Sequence, residues 1–381
     1  MSTLKVNTIN AATPNQPVAV DIQNPKSFRN LIINGAMQVA QRSTAAVNDD
    51  SYRTVDRFAL SYSGTDNHPT QAQHALTSSD TGPWEKGFRY SYHVTNGDQT
   101  SGAGTGDKME IIYKIEAQDM ANSGWNYTST SSYITFSFWV KSSKAQNFYG
   151  YILSLDGTTQ NYPFETGNLS ANTWTKITKT IPGNSNIQFD NNAAEGLRIV
   201  IQPFMGTAST GSVSLNAWAA LVSDTRTPNQ TSDWWLENDA TFEITGMQLE
   251  VGAYATDFEH RSFGDELARC QRYYQKSYDY ETAVGTATNT GCVMHSLALA
   301  QTYASPGSVR FPVQMRDGPT VTTYSTQNAD ANGKITADST DANGLAWMQN
   351  ETGTSFVRSN DSSGTNVNVF IKCHYTAEAE L

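Results

Sequence analysis

Apolar and polar side chains alternate with a period of two in short runs along most of this chain, which leaves few folds open to it. Met109, Ile111, Tyr113 and Ile115 alternate with Lys108, Glu110, Ile112, Lys114 and Glu116. Ile134, Phe136, Phe138 and Val140 alternate with Tyr133, Thr135, Ser137 and Trp139, and Leu197, Ile199 and Ile201 repeat the pattern with Arg198 and Gln202 on the other face. Successive strand side chains point to opposite faces, so each run reads as a half-buried strand. Turn-forming stretches such as Asn96-Gly97-Asp98 and Pro182-Gly183-Asn184 separate the runs. No strand–helix–strand rhythm appears. The pattern predicts an all-β protein built on an antiparallel jelly-roll β-sandwich.

One strand changes phase. Phe242 and Ile244 share a face, whereas Met247, Leu249 and Val251 have the opposite parity, with Gly246 at the switch. A β-bulge there would return all five to one face, and glycine tolerates its geometry. Residues 262–277 read as a helix: Ser262 caps it, Asp265 and Glu266 lie in its first turn, and Phe263, Leu267, Cys270 and Tyr274 form an apolar stripe. Such a stripe serves either a short trimeric coil or a contact with the adjacent domain. Beyond it Val293, His295, Leu297 and Leu299, and then Val367, Val369, Ile371, Cys373 and Tyr375, alternate again. Gly-, Asn- and Asp-rich stretches at 327–344 and 359–366 read as loops. The expected organisation is an N-terminal arm over 1–29, the sandwich over 30–260, a short linking helix over 261–278 and a second, smaller β domain over 279–381. Pro14, Pro17 and Pro25 prevent a long regular element in the arm, which is either a disordered terminus or a docking segment.

Composition narrows the function. Charged residues are 16% of the 381 and aromatics 11%, so the chain can fill thin β cores and is not a disordered polyelectrolyte. The formal net charge is −11 with no Lys/Arg cluster, which argues against nucleic acid as partner. No apolar stretch is long enough to span or insert into a membrane, and the first residues lack a signal-peptide pattern. Cys270, Cys292 and Cys373 are widely spaced and read as buried free thiols of a chain made in a reducing cytoplasm.

The sequence nominates no catalytic residue, no metal ligand set and no cofactor. His68, His74, His93, His260, His295 and His374 are scattered, and HExxH, GxSxG, P-loop and GxGxxG patterns are missing. Asp330, Asp338 and Asp341, and Asn238 with Asp239, sit in turn-rich loops without EF-hand spacing. Sugar recognition needs flat apolar surfaces with planar polar groups beside them. Trp84, Trp125, Trp174, Trp218, Trp234 and Trp235 supply such surfaces, and Trp125, Trp218, Trp234 and Trp235 are retained as glycan candidates. If extended, Trp234 and Trp235 point to opposite faces, one into the core and one outside.

Several strings carry a family likeness. Residues 30–42, Asn-Leu-Ile-Ile-Asn-Gly-Ala-Met-Gln-Val-Ala-Gln-Arg, precede Thr54-Val55-Asp56-Arg57-Phe58. Phe136-Ser137-Phe138-Trp139-Val140-Lys141-Ser142 and Thr245-Gly246-Met247-Gln248-Leu249-Glu250-Val251-Gly252 follow, then residues 258–267 leading into Cys270-Gln271-Arg272-Tyr273-Tyr274. Phe311-Pro312-Val313-Gln314-Met315-Arg316 with Pro319-Thr320-Val321, and the ending Tyr375-Thr376-Ala377-Glu378-Ala379-Glu380-Leu381, complete the set. Together they resemble phage tail-fibre-like proteins with a carbohydrate-binding-type jelly-roll module, frequent in marine and cyanobacterial phages. Met1–Asn10 is similar to the openings of phage fibre and other virion proteins. The resemblance implies a virion protein on the tail or particle surface, a homotrimer, and contacts with other tail or capsid proteins through the arm. A host-surface glycan is the further partner it suggests. It transfers no ligand-binding residue. Asp56-Arg57 reads as a buried or interfacial ion pair, and Glu259-His260-Arg261 as a polar hinge into the helix. A purely structural tail, baseplate or capsid-decorating role fits the same fold, as does, less well, a polysaccharide depolymerase.

Overall fold

The computed structural model describes residues 29–297, 304–337, 340–358 and 369–381. The arm up to residue 28, Leu299, Asp338, the 359–366 loop and Val367 lie outside the described residues. Eleven strands make a two-sheet sandwich: β1 (Phe58–Ser63), β2 (Thr70–Ala75), β3 (Tyr90–Thr95), β4 (Lys108–Glu116), β5 (Tyr133–Ser142), β6 (Asn147–Ser154), β7 (Gln160–Asn168), β8 (Thr175–Pro182), β9 (Glu195–Met205), β10 (Ala219–Ala220) and β11 (Thr241–Val251). One sheet has the order β1-β4-β9-β6-β7-β10 and the other β2-β3-β11-β5-β8. From β3 to β6 each successive strand joins the opposite sheet, the jelly-roll manner of wrapping. The alternating residues meet between the sheets, where Phe164 on β7 packs edge-on to Phe136 and Phe138 on β5.

The phase change at Gly246 is a bulge. The register of β11 against β5 shifts between Thr245 and Gln248, and Gly246 has φ +62°. Phe242, Ile244, Met247 and Leu249 therefore enter one core, with Val251 packed at its margin. Past the bulge β11 leaves β3, whose pairing covers Thr241 to Ile244. The segment from Asn30 to Gly35 takes over that edge: Leu31 N–H donates to Leu249 O, Met247 N–H donates to Gly35 O, and the Asn30 side chain bonds Met247 O and Leu249 N–H.

The helix is shorter than the sequence suggests. Two helices flank the sandwich strands, α1 (Ala117–Ala121) and α2 (Phe263–Gln271). Ser262 caps α2 as expected, its Oγ accepting from Asp265 N–H. Tyr274, however, opens a strand, β12 (Tyr274–Lys276), because Tyr274 to Lys276 find ladder partners at Thr376 to Glu378. The four-residue stripe is thus not helical throughout. Glu266 and Cys270 are the buried residues of α2, while Phe263 is exposed.

The remaining strands are β13 (Val293–Leu297), β14 (Ala304–Arg310), β15 (Thr320–Tyr324), β16 (Lys334–Ala337), β17 (Thr340–Asn350), β18 (Gly353–Arg358) and β19 (Val369–Glu378), so the stretch 327–344, expected as a loop, instead carries the paired strands β16 and the start of β17. With β12 they form a third antiparallel sheet in which β19 pairs β12, β13, β15 and β16. Phe311, Met315, Ile335, Phe356, Ile371, Cys373 and Tyr375 form its core. All three cysteines are free, but burial holds for Cys270 and Cys373 alone, since Cys292 lies half-buried ahead of β13.

This sheet docks on the sandwich through charge. Asp56 and Arg57 send their side chains to different partners. The Asp56 carboxylate accepts from Gln41 and lies 3.6 Å from Arg42. Arg57 pairs with Glu380, donates to Lys114 O at 2.7 Å and lies 3.4 Å above the Tyr273 ring. Arg42 stacks on Tyr274 at 3.8 Å and reaches Glu380 at 3.3 Å. Glu116, on the supposedly solvated face of β4, is buried because Arg272 binds it through two 2.7 Å hydrogen bonds and Tyr273 Oη donates to it.

Breaking one side of a buried pair strands the other charge, at a cost of about 3–5 kcal/mol. Arg57→Met is expected to lose stability of that order in urea unfolding. Burial raises the Glu116 pKa, but the hydrogen bonds from Arg272 and Tyr273 outweigh it and hold the carboxyl below its ordinary range. A depressed carboxylate adds stability that is fully present above the unfolded pKa and lost as the pH falls through the folded one. Wild type is therefore expected to weaken on acidification faster than Glu116→Gln, as read by denaturation midpoints at neutral and acidic pH.

Candidate functional site

The outer face of the five-stranded sheet gathers a group of interacting polar side chains. On central β11, Glu243 lies opposite His93 of β3 on one side and Lys141 of β5 on the other. His74 of β2 lies opposite Ser91, one pleat along. Antiparallel register thus gathers residues far apart in sequence around one carboxylate. Glu243 Oε1 lies 2.9 Å from Lys141 Nζ and 3.5 Å from His93 Nδ1. Oε2 accepts from Ser91 Oγ at 2.7 Å and lies 3.1 Å from His74 Nδ1. Burial opposes ionisation of Glu243, yet the His74 hydrogen bond, His93 and Ser91 hold its pKa well below the carboxylate range. The same hydrogen bond raises the His74 pKa above its ordinary value.

The loop between β2 and β3 folds over this face. Asp80 accepts from Lys141 Nζ and from Trp174 Nε1, both at 3.0 Å, and so ties the loop to β5 and to the approach to β8. Gly82 lies directly against the Trp139 ring, where a Cβ would come within 2.7 Å of it. Phe88 lies on Gly246: a Cβ there would come within 2.6 Å of the Phe88 ring. Phe258 meets Phe88 edge-on at 4.8 Å, and His260 closes the group with Nε2 2.8 Å from Lys86 O. These residues leave an open cleft of about 270 Å³ lined by Phe88, Ser137, Trp139, Lys176, Phe258 and His260. That volume is at the small end for ligand pockets.

The tryptophans nominated from sequence fare differently. Trp234 and Trp235 are both fully buried, since they occupy turns rather than an extended strand. Trp234 Nε1–H donates to Thr241 O, and Trp235 stacks on Phe204 with Nε1–H donating to Gly102 O. Trp125 is buried in the same core. None of these three offers a face to a ligand. Trp218 is half-buried, packed on Tyr162 with Nε1–H bonded to Pro182 O, and lies outside the cleft. Trp139, which sequence reasoning did not nominate, is the tryptophan of the cleft. Its signal was present: in 133–142 it falls on the parity opposite to Phe136 and Phe138. The histidine cluster carried no comparable signal, because strand register creates it. His260, read as a hinge residue, lines the cleft as well. Its neighbour Arg261 ties the start of α2 to the sandwich through Asn30 O and Glu259.

No protein-family model matches the chain, and no curated protein matches it in sequence. Solved structures of similar shape include the enzymatically active domain of a bacteriophage CBA120 tailspike, at 13% identity and TM-score 0.31, covering 60% of this chain and 22% of that one. A putative sugar-binding protein from Bacteroides thetaiotaomicron matches at 12% identity and TM-score 0.31, over 59% of this chain and 100% of that one. A family 11 carbohydrate-binding module from Clostridium thermocellum, solved with a mixed-linked tetrasaccharide, matches at 12% identity and TM-score 0.24, over 57% and 99%. At such scores none of them bears on what this chain binds.

The cleft floor depends on Gly246. An alanine there combines a left-handed backbone with a collision against Phe88. Gly246→Ala is expected to cost about 1–3 kcal/mol, read as a lower denaturant midpoint with an unchanged slope.

Proposed function

We propose that this protein is a non-enzymatic virion component of a tailed phage, a tail-fibre-like appendage whose cleft over the five-stranded sheet binds a host-surface glycan. The observation that carries the reading is Trp139. Its ring lies half-buried at the cleft, flanked by Phe258 and His260 and by the polar groups of Ser137 and Lys176. Sugars are bound by flat aromatic surfaces against their C–H faces, with hydrogen-bonding groups to fix orientation. The strings shared with tail-fibre-like proteins support the phage setting. A homotrimer would raise the avidity of weak single contacts, and the arm would provide attachment to the particle.

The charges favour binding over hydrolysis. Glycoside cleavage requires a carboxylic acid held protonated beside a second carboxylate. The carboxylates that line the cleft, Glu85 and Asp257, are both exposed to solvent, so neither sits in the apolar enclosure that keeps a catalytic acid protonated. Neither suits the acid role.

Purified protein is expected to bind host cells or their surface polysaccharide and to compete with phage adsorption. Trp139→Ala should weaken that binding about tenfold or more. Because the ring also packs on Gly82, the substitution should lower the melting temperature, so binding is compared where circular dichroism shows the variant folded. No new reducing ends should appear on incubation with the polysaccharide, and light scattering should return the mass of a trimer. Absence of both binding and competition would leave a purely structural role.

A further inference from the structure

We propose that His74, His93 and Glu243 form a binding site for a divalent transition-metal ion of the zinc class. One ligand atom from each residue lies within 4.8 Å of the others. The spacing suits a shared ion. A tetrahedron with metal–ligand bonds of about 2.05 Å has edges of about 3.3 Å. His74 Nδ1 stands 3.1 Å from Oε2 of Glu243 and His93 Nδ1 3.5 Å from Oε1, so the two imidazoles approach different oxygens of a carboxylate that would chelate the ion.

His93 supplies the second observation. Its Nδ1 is buried and makes no hydrogen bond. Its other nitrogen, Nε2, lies 3.1 Å from Thr95 Oγ1. With Nε2–H directed at Thr95, Nδ1 turns a lone pair toward the Glu243 carboxylate, where nitrogen and oxygen can ligate one cation together. With Nδ1 protonated, its N–H reaches Oε1 only at the 3.5 Å limit of a hydrogen bond. Thr95 and Ser91 stand where the outer partners of a metal-bound imidazole and carboxylate usually stand, fixing ring orientation and oxygen direction.

Lys141 is the nearest competing cation. It is shared between Glu243 and Asp80, at 2.9 and 3.0 Å, and this leaves Oε2 turned toward His74. Two imidazoles and one carboxylate select borderline ions such as zinc over calcium or magnesium, which prefer all-oxygen sites. The solvent-facing side of His74 leaves a fourth position for water. The site is independent of the glycan reading, and its test involves no sugar.

The full chain, stripped with chelator and dialysed, would be titrated with zinc by calorimetry and its metal content measured by mass spectrometry. The expected result is one ion per chain, with at least tenfold weaker binding in His93→Ala and in His74→Ala. His68→Ala, at an exposed histidine outside the cluster, should bind as wild type does. Cobalt should give the visible absorption of a low-coordinate site in wild type and lose it in His93→Ala. Circular dichroism would establish that each variant folds, and His93→Gln would replace any that does not. Wild type without stoichiometric zinc, or equal affinity in the His74 and His93 variants, would overturn the proposal and leave the cluster as a hydrogen-bonded ion network.

Discussion

The arrangement of the three sheets depends on a guanidinium that has been taken out of water. Arg57 is almost completely buried, holds a left-handed backbone at φ +75°, and lies between Tyr273 and the Glu380 carboxylate. A buried charge is tolerated when paired and costly when its partner leaves. The partner comes from the segment just past β19, and the covering ring comes from the junction of α2 and β12. The third sheet therefore cannot move off the sandwich without exposing an unpaired Arg57, a half-paired Arg42 and the Glu116 carboxylate together. Charge fixes where that sheet sits, and the apolar cores fill in around it.

That arrangement separates two surfaces. Docking uses the segment before β1, the end of β4 and the α2–β12 junction, with Arg316 reaching Ala193 O near the start of β9. The outer face of the five-stranded sheet is left to the loop between β2 and β3, which is held by Asp80 and Phe88. The bulge at Gly246 serves both. It ends the β11–β3 pairing, so that Asn30 to Gly35 can seal the freed edge, and it makes the hollow into which Phe88 sinks.

Sequence alone revealed the parts of the fold that follow from a two-residue period. The strand faces, the Gly246 bulge and the Ser262 cap each rest on local residue chemistry. The helix end did not, because Tyr274 satisfies a helical stripe and a strand equally well, and the ladder offered by β19 decides between them. Trp234 and Trp235 misled for a related reason: alternation holds only in extended chain, and a turn can bury both neighbours. Trp139 was legible as an off-phase aromatic within an otherwise apolar-inward strand. The cluster of His74, His93 and Glu243 was not, since it spans three strands whose register no local pattern encodes.

The state of β11 bears on how that cluster should be understood. Glu243, Thr245, Gln248 and Glu250 are buried on its outer side just as Phe242 and Leu249 are on its inner one. Buried polar groups must find partners or cost stability. Thr245 bonds Tyr90 O, Gln248 bonds Glu250, and Glu250 is capped by Thr256. Buried nitrogens without a hydrogen bond include Arg57 Nε and Arg261 Nε, whose guanidinium groups engage their remaining nitrogens in ion pairs, and the amide nitrogens of Gln146 and Gln202. His93 Nδ1 is set apart by the carboxylate oxygen it faces at 3.5 Å. A row kept polar only to fix strand register would close that contact with a hydrogen bond. A row that holds a cation would keep its nitrogen and oxygen at the separation of two ligands, and this is the spacing found.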